Sequence, residues 1–410
     1  MNLYAVIIAA ALAAEYLLHL AVDLLNLKAL GTGVPAEFAG VYDPATYRRS
    51  QEYTRTRTLF GIVVSTAMLA LTFGFWFAGG FNVVDVAVRG WGLPAIPTGL
   101  AFIGILALLK TLISLPFSAW STFVIEARIG FNRTTPKTFI ADLLKGMLLS
   151  VTIGGLLVAG ILFLFEWAGP GAWAWCWGFG TVVALVLQFI APVWLMPLFN
   201  KFTPLPDGPL KERILKYASE IGFPLQGIYM VNGSKRSSKS NAYFTGFGKF
   251  KRIALFDTLI ARHTAPELVA VLAHEIGHYR KKHIRTGMIV SVLRMGAMLW
   301  ILSMFVSHRP LFDAFFMENV SVHAGLIIFG LLFTPIEFFL SLAMHALSRK
   351  HEFEADRFAA ETLGGREDLV SALKKLSADN LSNLTPHPAY VFLHYSHPPV
   401  LERIRRLSSA

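Results

Sequence analysis

Hydrophobic and polar positions along the chain alternate in long blocks. Seven apolar runs, near 3–27, 58–79, 99–124, 147–168, 172–196, 287–307 and 324–347, each have the roughly 20 residues that a helix needs to cross hydrocarbon. Only Met1 and Asn2 precede the first run, which is too long for a signal-peptide core, so it is expected to be a retained span. Two polar stretches of any size remain, 197–286 and 350–410, and they flank the last two spans. The expected organisation is therefore five spans with cytoplasmic loops in 1–196, a polar region in 197–286, spans six and seven in 287–349, and a polar tail in 350–410. The fold class is mainly α, a seven-span membrane protein carrying a small α+β region on one face.

Within 197–286, Pro209 to Ile221 has helical periodicity. The segments 227–233, 241–247 and 252–260 are short, rich in aromatic or β-branched residues and separated by Gly and Ser, so they predict three small strands. Thr264-Ala-Pro-Glu267 has the form of a capping box with proline in the first turn. It predicts a helix running through about residue 285.

Composition agrees with the blocks. The 410 residues are 54% hydrophobic and 15% charged, against roughly 25% charged in soluble domains. That excludes a soluble enzyme, a disordered chain and a coiled coil. The net charge of +11 follows topology. Loops 28–57 and 125–146 hold five and four Lys or Arg residues, while loops 80–98 and 308–323 hold one each. The basic loops are then cytoplasmic, together with 197–286 and the tail. No nucleic-acid-binding motif accompanies the charge, so no nucleic-acid partner is expected. A single cysteine, Cys176, excludes internal disulfides and cysteine-rich metal sites. Any metal must be held by histidine and carboxylate.

The segment His274-Glu275-Ile276-Gly277-His278 supplies such ligands. Histidines at i and i+4 project from one helical face, so both imidazoles can reach one ion. Glu275 lies beside them and can act on water as general base. The motif arises by chance in roughly one chain in a hundred at this length, so its context matters. A catalytic zinc takes a third protein ligand and leaves one position open. Ile284 stands where a metzincin would have its third histidine, and His283 reads as part of the basic juxtamembrane cluster Arg280-Lys281-Lys282. The better source is His351-Glu352-Phe353-Glu354-Ala355-Asp356, which continues span seven. Glu352 and Asp356 share a face and Glu354 is off it. One carboxylate can ligate while the other holds a ligand histidine.

These residues carry a resemblance. The chain resembles the integral-membrane zinc CAAX prenyl proteases, gluzincins with seven spans, over nearly its whole length. The matching motifs are Leu195-Met-Pro-Leu-Phe-Asn-Lys-Phe-Thr-Pro-Leu-Pro206, Ser240-Asn-Ala-Tyr-Phe-Thr-Gly-Phe-Gly248, Arg252-Ile-Ala-Leu-Phe-Asp-Thr-Leu259, the HExxH, Ser348-Arg-Lys-His-Glu-Phe-Glu-Ala-Asp356, and Ser396-His-Pro-Pro399 with Glu402-Arg403. The resemblance implies one zinc ion held by His274, His278 and Glu352, Glu275 as base and proton shuttle, and Asp356 behind a ligand. It implies that substrate backbone pairs with an edge strand at Asn241, Ala242 and Tyr243, and that His397 and Arg403 act at the oxyanion and substrate carbonyl. It also implies a helical barrel enclosing a water-filled chamber, and a peptide or protein substrate, prenylated or not. The membrane would be the bacterial cytoplasmic membrane, or the endoplasmic reticulum or inner nuclear membrane in a eukaryote.

Glu15, His19, Asp23, Lys110, Arg294, Glu337 and His345 fall in or near apolar runs. Such groups face a cavity or pair with one another, and Arg294 with Glu337 is one candidate pair. Two other readings compete: a membrane quality-control protease of the HtpX type, with fewer spans and a shorter chain, and a transporter or scaffold with structural zinc. The second leaves Glu275 without a purpose.

Overall fold

The computed structural model describes residues 2–31, 33–245 and 252–409. Seven helices among these are long and apolar enough to cross a membrane: Leu3–Lys28, Pro44–Phe77, Ala95–Ile129, Pro136–Trp167, Gly169–Leu198, His283–Phe305 and Val322–Leu363. Several extend well past their apolar cores. The second begins at Pro44, where Asp43 accepts from the Ala45 and Thr46 amides and caps a polar first half. The seventh runs 42 residues without a break. Its apolar half crosses the membrane and its polar half carries His351 to Asp356.

The spans touch along narrow seams. Between 0 and 17% of the most apolar stretch of each is buried, whereas a helix in a solid bundle buries a stripe of more than about a quarter of its circumference. Most of each apolar stretch is thus exposed, as expected of helices that face lipid. Glu15, His19, Glu337 and His345 line one cavity of about 490 Å³ together with His394 of the tail. Lys110 lines another of about 470 Å³. Arg294 and Glu337 form the expected ion pair.

The polar region holds a four-stranded sheet in the order β1-β2-β4-β3. The strands are β1 (Phe202–Pro204), β2 (Gly227–Val231), β3 (Ala242–Thr245) and β4 (Arg252–Phe256). β2 and β4 are parallel and the other pairings are antiparallel. β1 was not expected. It has three residues and ends in proline, which is tolerated on an edge. Residues 246–247 of the expected third strand lie outside the described residues. The expected strand 252–260 stops at Phe256. Asp257 there turns the chain into the short helix Asp257–Arg262, its carboxylate accepting from the Ser234 and Thr258 amides.

The HExxH helix spans Ala265–Arg280 and opens on the expected capping box. Leu268, Ala270, Leu272, Ala273 and Ile276 pack into one core with Ile253 and Leu255 of the sheet, Ile214 of the helix Pro209–Glu220, and Leu369 of the helix Glu367–Asp379. The helix does not continue to 285. Lys282 adopts φ 62°, a left-handed conformation costing about 1 kcal/mol outside glycine, and the sixth span starts afresh at His283.

Candidate metal centre

The HExxH helix and the polar half of the seventh span lie side by side. Their closest approach is at Gly277, where an added Cβ would stand 3.0 Å from the Ala355 Cα and 3.1 Å from its carbonyl oxygen. Gly277 lies between the two motif histidines, and Ala355 between Glu352 and Asp356. Glycine at this crossing lets a short carboxylate from one helix reach both imidazoles on the other.

The resulting triangle is compact. His274 Nε2 is 3.2 Å from His278 Nε2 and 3.4 Å from Glu352 Oε2, and His278 Nε2 is 3.3 Å from Glu352 Oε1. These atoms meet the spacing of a common ion site. Ligand atoms about 2.0–2.1 Å from a tetrahedral ion are separated by about 3.3–3.4 Å, close to the separation of the two imidazole nitrogens, and each nitrogen stands at a similar distance from one of the two Glu352 oxygens. Glu352 is 2% exposed. Its Oε2 is buried and no hydrogen bond reaches it, although Arg403 Nη1 stands 3.3 Å away. A buried anionic oxygen without a hydrogen bond has coordination capacity to spare. Two imidazoles and one carboxylate are a donor set that a divalent metal such as zinc accepts.

A layer of polar groups supports the triangle. Asp356 Oδ1 lies 2.9 Å from His274 Nδ1. Arg403, on the terminal helix Val400–Ser409, donates to both oxygens of Asp356, at 2.6 and 2.8 Å. Burial pushes the His274 pKa down and the Arg403 charge pushes the same way, but Asp356 and Glu352 outweigh both and raise it to about 9.

The other expected residues fall in distinct places. Glu275 is half-buried, and its carboxylate makes no hydrogen bond or ion pair among the described residues. His397 reaches the cluster at one point, with Nε2 3.2 Å from Glu352 Oε1, and its side chain is 66% exposed. Arg403 is instead buried and committed to the two carboxylates. Ala242 and Tyr243 stand on β3, and Asn241 immediately precedes it. β3 is the last strand of the order, so one of its edges has no partner among the described strands. Ser240, just before it, is pinned to Asn380 through both its amide and its carbonyl.

One contributor was misread. His283 is not a member of an exposed basic cluster. It is buried, 3.1 Å from His278 Nδ1, bonded at 2.8 Å to Glu354 and stacked on His351. The break at Lys282 folds it back onto the ligand, and no glycine or proline marks that break in the sequence.

Comparison with known proteins gives a consistent set of relatives. The family profile described as CAAX prenyl protease N-terminal, five membrane helices, matches residues 23–201. The profile of peptidase family M48 matches 204–410. The CAAX prenyl protease 1 homolog of Arabidopsis thaliana is 38% identical over 404 residues, covering 96% of this chain and 94% of its own. CAAX prenyl protease 1 of Saccharomyces cerevisiae is 36% identical over 402 residues, with coverage of 92% and 88%. The human homolog is 35% identical over 428 residues, with coverage of 92% and 89%. A crystal structure of S. mikatae Ste24p superposes with a TM-score of 0.94 at 34% identity, covering 99% of each chain.

Proposed function

From the premise that the chain belongs to the M48 peptidases of the CAAX prenyl protease family, we propose that it is a zinc endopeptidase whose cytoplasmic active site cuts C-terminal peptides of prenylated proteins. The observation that carries the metal assignment is the cluster of His274, His278 and Glu352 at 3.2–3.4 Å. The basic loops support the cytoplasmic orientation.

When bound, zinc supplies Lewis acidity, polarising the scissile carbonyl and making water a nucleophile near neutral pH. The chain's own residues do the rest. Asp356 holds the Nδ1 proton of His274 and so presents the Nε2 lone pair to the ion. Arg403 fixes Asp356 and balances the charge of the two buried carboxylates; in this reading it positions ligands rather than touching the substrate. The substrate main chain adds to the free edge at Asn241, Ala242 and Tyr243, a pairing through backbone hydrogen bonds that tolerates many side chains. Glu275 accepts the water proton on its carboxylate and returns it to the leaving amide nitrogen. The Nε2–H of His397 donates to the developing oxyanion, a contribution of about 3 kcal/mol in comparable sites.

The five-helix N-terminal match and seven spans argue against an HtpX-type enzyme. A closed structural zinc would need a fourth protein ligand, and the candidate ligand group among the described residues has three members. The test is Glu275→Gln. Cleavage of a farnesylated CAAX peptide should be lost while zinc content stays at one per chain. Unchanged cleavage would remove Glu275 as the base.

A further inference from the structure

His397 reaches the ligand cluster at one point, yet little of its own packing holds it there. Its side chain is 66% exposed, and among the described residues its one side-chain hydrogen bond is with the adjacent Ser396. Two prolines follow, which restrict its backbone to extended conformations but do not fix where the loop sits. The loop needs an external tether.

Arg349 provides it. It lies on the seventh-span helix one turn before Glu352, half-buried, and no carboxylate pairs with it among the described residues. Its Nη1 donates to the carbonyls of Tyr395 at 2.7 Å and Val391 at 3.3 Å. These close the end of the short helix Pro388–His394 and the step after it. Among the described residues, no other side chain hydrogen-bonds the backbone of 394–399. The contacts form a closed circuit. Glu352 and Arg349 share one rigid helix, Arg349 holds Tyr395, Tyr395 is two residues before His397, and His397 returns to Glu352 Oε1 at 3.2 Å. The helix that carries the third ligand therefore also positions that histidine.

We infer that Arg349 is a positioning residue for the reaction, holding His397 in register with the metal ligands. The inference rests on the role proposed above for His397. Both bonds come from one guanidinium nitrogen, Nη1, and a lysine ammonium carries the charge on a shorter, more strongly hydrated side chain, so Arg349→Lys should restore only part of the function. A misplacement of about 1 Å at a catalytic group costs up to 100-fold in rate.

The experiment uses the full-length chain in liposomes, a farnesylated, internally quenched CAAX peptide, and five proteins: wild type, Arg349→Gln, Arg349→Lys, His397→Ala and the double variant of Arg349→Gln with His397→Ala. Arg349→Gln should lower kcat by about 10-fold to 100-fold, leave KM within about 3-fold and leave zinc content unchanged. In the His397→Ala background, Arg349→Gln should have almost no further effect, because the group it positions is gone. Arg349→Lys, which keeps the charge, should fall between wild type and Arg349→Gln. Wild-type kcat for Arg349→Gln alongside a slow His397→Ala overturns the inference. So does additivity of the two substitutions, or zinc loss in Arg349→Gln, since either would mean a structural route that bypasses His397. If His397→Ala itself is silent, the role of His397 fails and this inference falls with it.

Discussion

Gly277 is where the HExxH helix meets the helix carrying Glu352, and one methyl group there probes the ligand triangle from its hinge. In Gly277→Ala the new Cβ would stand 3.0 Å from Ala355 Cα and 3.1 Å from Ala355 O. Reaching an ordinary contact of about 3.4 Å or more requires the helices to part by about 0.4 Å. The nearest atoms are backbone, so no rotamer change relieves the clash. Zinc sites tolerate about 0.2 Å in ligand distance, and the separation carries Glu352 away from both histidines together. We expect zinc affinity to fall about 10-fold to 100-fold, or about 1.4–2.7 kcal/mol. Helix propensity acts in the opposite direction, since alanine is favoured over glycine by up to about 1 kcal/mol. Thermal stability without metal should therefore change little. The assay is competition with a chromophoric zinc chelator, alongside a thermal melt of the metal-free protein. Ala355→Gly should rescue poorly, because its Cβ is only the third-nearest atom, at 3.3 Å. Unchanged zinc affinity in Gly277→Ala would refute the claim that this crossing sets the ligand geometry.

Glu267 closes the capping box and also bonds Ser371 at 2.6 Å and Lys375 at 2.9 Å. Burial alone would raise its pKa, but the Lys375, Ser371 and Thr264 bonds prevail and bring it down to about 2. Its contribution is thus complete above about pH 4.5 and lost as pH falls towards 2; thermal melts between pH 6 and 3 should show the loss, and Glu267→Ala should flatten it while lowering stability by about 2 kcal/mol. At the opposite end of the bundle, Asp85 is fully buried between His323 and Arg89, at 2.7 Å from each. Asp85→Leu leaves the buried His323 without its carboxylate and should destabilise the protein by about 3–5 kcal/mol without changing zinc content; a melt of the purified protein in detergent checks the first and elemental analysis the second.

The spans were legible because twenty consecutive apolar residues have few other uses in a chain this poor in charge. Their ends were not, since a helix continues into water wherever caps and packing allow, as at Asp43 and along Val322–Leu363. The HExxH and the pairing of Glu352 with Asp356 on one face follow from helical spacing alone. What joins them is Gly277 against Ala355, a contact between distant segments that no periodicity reports. His283 was misjudged for a related reason: the turn at Lys282 is imposed by tertiary packing on a residue type that gives no sign of it. β1 escaped notice because three residues ending in proline carry too little pattern. His397 was recognisable only by resemblance, since an exposed loop histidine has no local signature.

The central claim is that His274, His278 and Glu352 hold one zinc ion. The direct measurement is anomalous diffraction at the zinc edge from crystals of the purified protein, with Glu352→Gln as control. The account predicts one peak bounded by the two Nε2 atoms and the Glu352 carboxylate, strongly reduced in the variant. A peak elsewhere, or one that persists at full height without the carboxylate, would contradict it.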